Sequence, residues 1–400
     1  MKLLLITMSH LACLARIVCA ENLQPPLPSQ DGYFELRNGL ANSRAKFERE
    51  KFGRVAFLGG SITQSSGWRD LVMDYLRKKF PDTKFEFISA GIGSLGSVPH
   101  AFRLERDVLS KGPVDLLFVE AAVNDTSNTS EFPKRMLRGM EGVVRHARSV
   151  NPSTDIVQMH FVMPEHMADY NEGRVPVSIA MHERVAQFYG NPSLNLSKEV
   201  TDRIKAGEFT WEDDFRDLHP SPFGHELYAR SIQHMLESAW SGPVVNPAPH
   251  TMPAAHLDAA SYDRGRFGNL EDARLIEGFR FVQQWTPEIP AKTRPGFVDV
   301  PALVATQPGA EFEFAFNGTA AGLLIGSGPD SGMLEVSCDG SPFTQIDTFT
   351  KWSRELYLPW AVILAESLQP GRHVVRVRLA KEHNPKSKGT ALYIFQLLLN

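Results

Sequence analysis

The chain has 400 residues and a formal net charge of -4, with Lys+Arg (42) outnumbered by Asp+Glu (46). That balance gives no basic footprint for a nucleic acid partner. Hydrophobic residues at 42% and charged residues at 22% fit a water-soluble globular protein, neither a disordered chain nor a membrane bundle. At this length two cores are expected.

Residues 1–20 carry one early lysine, then a mostly apolar stretch, then Val18-Cys19-Ala20, the small-residue pattern of a signal cleaved before Glu21. A secreted or periplasmic destination is expected. Cleavage would remove Cys13 and Cys19 and leave Cys338 alone, so no intramolecular disulfide is expected. No later segment reaches the roughly 18 apolar residues of a membrane span. Residues 21–50 read as an N-terminal extension.

From residue 51 to 242 short apolar runs alternate with helical patterns, which predicts a three-layer α/β/α sandwich around a parallel sheet. The strands are predicted at 55–58, 85–88, 114–119, 156–161 and 193–196. Helices are predicted at 68–80, 102–110, 133–150, 177–189 and 222–239, each with apolar residues at three- and four-residue spacing. Proline punctuation over residues 243–256 reads as a linker. Residues 257–400 form a second domain, poorly patterned to about 310. Beyond that, period-two alternation at 311–316, 322–325, 333–337, 343–349, 373–379 and 391–399, with the Asp339-Gly340 hairpin signal, predicts an antiparallel β-sandwich.

Four segments of the first domain carry chemistry. The strand at 55–58 runs into Gly59-Gly60-Ser61, placing a serine at a sharp turn whose glycines leave its hydroxyl unobstructed. The Gly-Lys-Ser/Thr ending of a phosphate loop is missing. Gly91 to Gly96 has dinucleotide-loop spacing, with Glu120 downstream. Against that use, the strand before it is not the first of the sheet, and Pro99 stands where the cofactor-binding helix should be under way. The other use of such a turn is to aim the backbone N–H of Gly93 or Ser94 at an oxyanion. Asn124 lies in Ala122-Val123-Asn124-Asp125, at the end of the most apolar strand, and could add its side-chain amide. Asp217-Leu218-His219 offers a base and a carboxylate to orient it. A metal reading of His219 with His225 lacks any further ligand spacing.

In this order the four segments resemble the SGNH/GDSL hydrolase superfamily, over residues 51–242. The resemblance implies that Ser61 is the nucleophile and His219 its base. It assigns the oxyanion hole to the Ser61 N–H, the N–H of Ser94 or Gly93, and the Asn124 amide. Ala122 stands where the family has glycine. Arg216 stands where it has aspartate, three residues before the histidine. Asp217 can reach the imidazole if the segment is extended, since residues i and i+2 share a face, and Asp214 is the reserve.

The implied chemistry is two-step acyl transfer with no metal or organic cofactor. A sandwich joined to such a domain resembles secreted carbohydrate esterases, so the expected partner is an acylated carbohydrate or another small ester, with Trp285, Trp352 and Trp360 available as sugar platforms. O-acetyl esters on a glycan are the first expectation. A lipase, lysophospholipase or thioesterase of broad acyl range, and a glycan-binding module without turnover, are the alternatives.

Overall fold

In the computed structural model, which describes residues 31–128 and 132–400, the first domain is built on six strands. They are β1 (Phe34–Glu35), β2 (Phe52–Gly59), β3 (Lys84–Gly91), β4 (Leu116–Glu120), β5 (Asp155–Met159) and β6 (Ser193–Leu194), in spatial order β1-β6-β5-β4-β2-β3. All neighbours pair parallel except β1, which closes the edge antiparallel to β6. The leader read over residues 1–20 lies outside the described residues.

β4 and β5 are buried at every position, as strands covered on both faces must be. Alternate residues of β2 serve the two layers. Val55 and Phe57 meet Trp68, Tyr228 and Ile232, contributed by helices Trp68–Lys79 and Pro222–Ala239. Ala56 and Leu58 meet Phe102, Met140 and Val185 from helices Ser97–Asp107, Pro133–Val150 and Val177–Tyr189.

Three sequence expectations are corrected here. The strand expected at 193–196 stops at Leu194 because Asn195 caps the next helix, its Oδ1 accepting the Lys198 N–H at 3.0 Å. Ala122 to Asn128 is helical, so Asn124 sits in a first helical turn rather than at a strand end. The helix expected at 102–110 starts at Ser97 and carries Pro99 in its first turn, where a missing N–H costs nothing. Pro99 therefore gives no argument against a dinucleotide helix. The sheet order does, because β3 is an edge strand, whereas the dinucleotide turn follows a strand at the sheet's central crossover.

The second domain contains two antiparallel sheets. Its strands are β7 (Arg266–Gly268), β8 (Arg274–Glu277), β9 (Arg280–Trp285), β10 (Val300–Ala305), β11 (Glu311–Gly318), β12 (Ala321–Ser327), β13 (Met333–Cys338), β14 (Thr344–Asp347), β15 (Leu358–Ala365), β16 (Gly371–Leu379) and β17 (Leu392–Leu399). One sheet runs β15-β12-β17-β10-β9 with β7 on β17, the other β14-β13-β16-β11-β8. Five of these strands carry no alternation that sequence reading could use. β8 is exposed throughout, β7 and β9 are edge strands, and β10 and β15 are buried in runs.

Both faces of β12 and β17 are covered. Leu323, Ile325 and Leu397 point into the sandwich. Leu324, Leu398 and Phe395 belong to the cluster that also holds Ala101 and Phe102 of the first domain. The sandwich is thus packed onto the helical layer rather than tethered beside it. At the rim Glu366 accepts hydrogen bonds from Arg135 (2.9 Å), Arg138 (2.7 Å) and the Tyr262 hydroxyl (2.7 Å).

Candidate active site

β2 and β4 end side by side, and the site is assembled at their carboxyl ends. Ser61 opens the short helix Ser61–Gln64 directly after Gly60. Behind this turn the buried Glu120, last residue of β4, accepts the Gly60 N–H at 2.5 Å and the Thr63 hydroxyl at 2.7 Å. Burial pushes its carboxyl above the usual range against the opposing pull of these two donors. A side chain at either glycine would force a neighbouring side chain out of place. A Cβ on Gly59 would stand 2.1 Å from Glu120 Oε1, and one on Gly60 2.0 Å from Asn124 Oδ1. The Asn124 side chain therefore lies directly against the serine turn.

His219 comes from the loop before the last helix, and its Nε2 is 2.7 Å from Ser61 Oγ. Burial of the packed side of the ring lowers its pKa, Asp217 opposes the change, and Arg294 reinforces it. The imidazole is accordingly neutral at neutral pH and free to accept the serine proton. The structure brings no carboxylate into hydrogen-bond contact with this ring among the described residues. The chain is not extended through Asp217, because Arg216 is left-handed (φ 77°) and the Asp217 N–H turns back to the Phe215 carbonyl at 3.1 Å. Asp217 acts on His219 through charge alone. Asp214 is committed elsewhere, its Oδ2 accepting the Thr210 N–H at 2.8 Å. His225 is also engaged, its Nδ1 taking the Trp68 N–H at 3.2 Å.

The glycine turn after β3 packs against the short helix that Ser61 opens. The Gly93 N–H is taken by Gln64 Oε1 at 3.0 Å, so Gly93 is not an available donor. The N–H of Ser94 meets no acceptor among the described residues. Ser94 is left-handed (φ 74°), and its carbonyl accepts the Asn128 amide at 2.8 Å. Asp125 secures the helix beyond, taking the Ser97 N–H at 2.9 Å, the Ser97 hydroxyl at 2.5 Å and His182 Nε2 at 2.9 Å.

Sequence reading missed Gln64, the anchoring use of Glu120, and Arg294 of the second domain. Gln64 was discoverable in principle, being one helical turn beyond Ser61. Arg294 carries no local signal. Of the three tryptophans, Trp285 is core, packed among Tyr357, Tyr393 and Phe395, and Trp352 is exposed beneath Lys351. Trp360 is half-buried and lines a cavity of about 40 Å³ with Ser94, Asn128 and Arg135.

Residues 57–227, which span Ser61, Asn124 and His219, match the GDSL-like Lipase/Acylhydrolase family. The chain carries a GDSL-like lipase/acylhydrolase domain. It is by that domain a carboxylic ester hydrolase. No curated protein matches the sequence. The fold of the whole chain, GDSL domain and sandwich together, is similar to a two-domain esterase (CEX) active on acetylated mannans. The TM-score is 0.70 at 23% identity, covering 92% of this chain and 98% of that one. The same esterase co-crystallized with mannopentaose gives 0.69. An acetyl xylan esterase, AlAXEase, covers 45% of this chain at 21% identity with a TM-score of 0.39.

Proposed function

We propose that the protein is a secreted serine esterase that removes O-acetyl groups from carbohydrate through an acyl-enzyme on Ser61. The observation that carries this reading is the 2.7 Å contact between Ser61 Oγ and His219 Nε2, at a turn bordered by the Asn124 side chain.

In the first step His219 Nε2 takes the hydroxyl proton and Ser61 Oγ bonds to the ester carbonyl carbon. The carbonyl oxygen becomes an oxyanion facing the N–H groups of Ser61 and Ser94 and the Asn124 amide. Removing one such donor typically costs about 10²–10³ in turnover. Collapse expels the sugar alkoxide, which takes the proton back from His219. A water then gives its proton to His219 and adds to the acyl carbon. Collapse of that second oxyanion releases acetic acid, and the serine oxygen takes its proton back from His219. Every proton moves through the one imidazole.

Support for the glycan as substrate comes from the whole-chain likeness to an esterase active on acetylated mannans. The test is hydrolysis of p-nitrophenyl acetate, butyrate and octanoate, followed by acetylated mannan and xylan, with Ser61→Ala alongside. Acetate turnover that falls with chain length and vanishes in the variant is expected. Turnover rising toward octanoate would replace the acetylesterase by a broad-range lipase, and none on any ester would leave a glycan-binding module.

A further inference from the structure

Arg294 belongs to the loop between β9 and β10, yet its Nε–H donates to Ser94 Oγ at 3.1 Å, across the domain boundary. It also lies close over the neighbouring residue, where a Cβ on Gly93 would stand 3.4 Å from that same Nε. The loop that carries it is tied down on both sides. The Lys292 N–H bonds to the Glu355 carbonyl at 2.9 Å, and the Phe297 N–H closes a turn on the Arg294 carbonyl at 3.2 Å. Phe297 in turn packs on Phe395 with ring centroids 5.5 Å apart.

Two features separate this arginine from an ordinary docking residue. The first is what it holds. A left-handed serine is a strained conformation, and it persists only where the surroundings over-determine it. Ser94 is pinned from the first domain through its carbonyl by Asn128 and from the second through its hydroxyl by Arg294. The second is the missing counter-ion. Arg294 forms no ion pair among the described residues, and its burial disfavours the charged form with nothing opposing it. Its charge is felt at His219.

We propose that Arg294 is a positioning residue supplied by the second domain. Its bond to the Ser94 hydroxyl fixes the left-handed turn that presents the Ser94 N–H to the reacting carbonyl, so the oxyanion hole is complete only when the sandwich is docked. This inference rests on the serine esterase reading above. The charged and titratable groups facing His219 are Asp217 on its own segment, His225 on the last helix, and Arg294.

The experiment uses the full chain with p-nitrophenyl acetate, comparing wild type, Ser61→Ala, Arg294→Ala, Arg294→Lys and the docking control Glu366→Ala, with kcat, KM and pH profiles for each. Arg294→Ala should lose on the order of tenfold or more in kcat with little change in KM, below the ~10²–10³ of a lost oxyanion donor itself. Its acid limb should move to higher pH, because a positive charge that repels the imidazolium is gone. Arg294→Lys keeps the charge but not the Nε–H, so it should share the loss of kcat and retain the wild-type acid limb. Wild-type kcat and acid limb in Arg294→Ala would overturn the proposal. So would wild-type kcat in Arg294→Lys, which would reduce Arg294 to a charge near the turn rather than a donor to Ser94; Glu366→Ala, which loosens the docking itself, should change kcat and acid limb in the same direction as Arg294→Ala. An inactive wild type sinks the esterase reading itself, whereas an active wild type with an indifferent Arg294→Ala sinks only this inference.

Discussion

Ser61 and His219 stand 158 positions apart in the chain, and the 2.7 Å between Oγ and Nε2 joins the first turn of the domain to the loop before its last helix. Because burial lowers the histidine's pKa, the base form persists to lower pH than in a free imidazole. Activity, as log kcat/KM, should be level through neutral pH and fall only below about 6.5. His219→Ala and Ser61→Ala should each abolish turnover. A fall beginning above pH 7 would contradict the lowered pKa, and survival of activity in Ser61→Ala would remove the nucleophile.

Asp217 makes a sharper distinction. In a triad with a hydrogen-bonded aspartate, loss of the carboxylate typically costs about 10⁴ in kcat, because the imidazole adopts the wrong tautomer. Here the carboxylate contributes charge and no hydrogen bond, and that charge raises the His219 pKa. Asp217→Asn should therefore shift the acid limb further down and cost about tenfold or less in kcat at pH 8. A loss near 10⁴ would mean that Asp217 swings onto the ring during turnover.

Glu120 anchors the Ser61 turn from inside the sheet. Glu120→Ala leaves the Gly60 N–H and the Thr63 hydroxyl buried without an acceptor, at about 1–3 kcal/mol for each unsatisfied group. It should lower the midpoint of thermal unfolding and also depress kcat. Glu120→Gln, which keeps one oxygen acceptor, should recover most of both. If Glu120→Ala melts like wild type, the turn is held by other contacts.

Period and glycine placement made the first domain readable. Uninterrupted apolar runs marked β2 and β4, and helices Pro133–Val150, Val177–Tyr189 and Pro222–Ala239 fall where apolar spacing put them. The sandwich was read only in part. β12 and β17 bury both faces, one on the opposite sheet and one on the first domain, while β8 buries neither. That Ser61, Asn124 and His219 come together was legible because each lies in a segment that directly follows a strand or precedes a helix of the first domain. Arg294 was not, because the loop carrying it is positioned by contacts with residues about 60 and 100 places further on, Glu355 and Phe395. Asp217 was misjudged for a local reason, the left-handed Arg216, since extended geometry was assumed through it.

Glu366 tests whether the two domains behave as one unit. Burial alone would raise the pKa of its carboxyl, but Tyr262, Arg135 and Arg138 prevail and hold it below the usual carboxylate range. A depressed folded-state pKa adds stability that is fully present above the unfolded value, near 4.5 for glutamate, and is lost as pH falls through the folded one. Glu366→Ala removes the acceptor shared by both guanidiniums and should destabilise the docked state by about 1–3 kcal/mol at pH 7. The readouts are a lower unfolding midpoint and faster proteolysis in residues 243–256. The gap from wild type should narrow as the pH is taken below about 4.5, because protonation disables the same staple in the native chain. A gap that stays constant down to pH 3 would show that the staple contributes by packing rather than by charge. Identical melting at pH 7 would show that the apolar cluster around Phe102, Leu398 and Phe395 holds the sandwich without it.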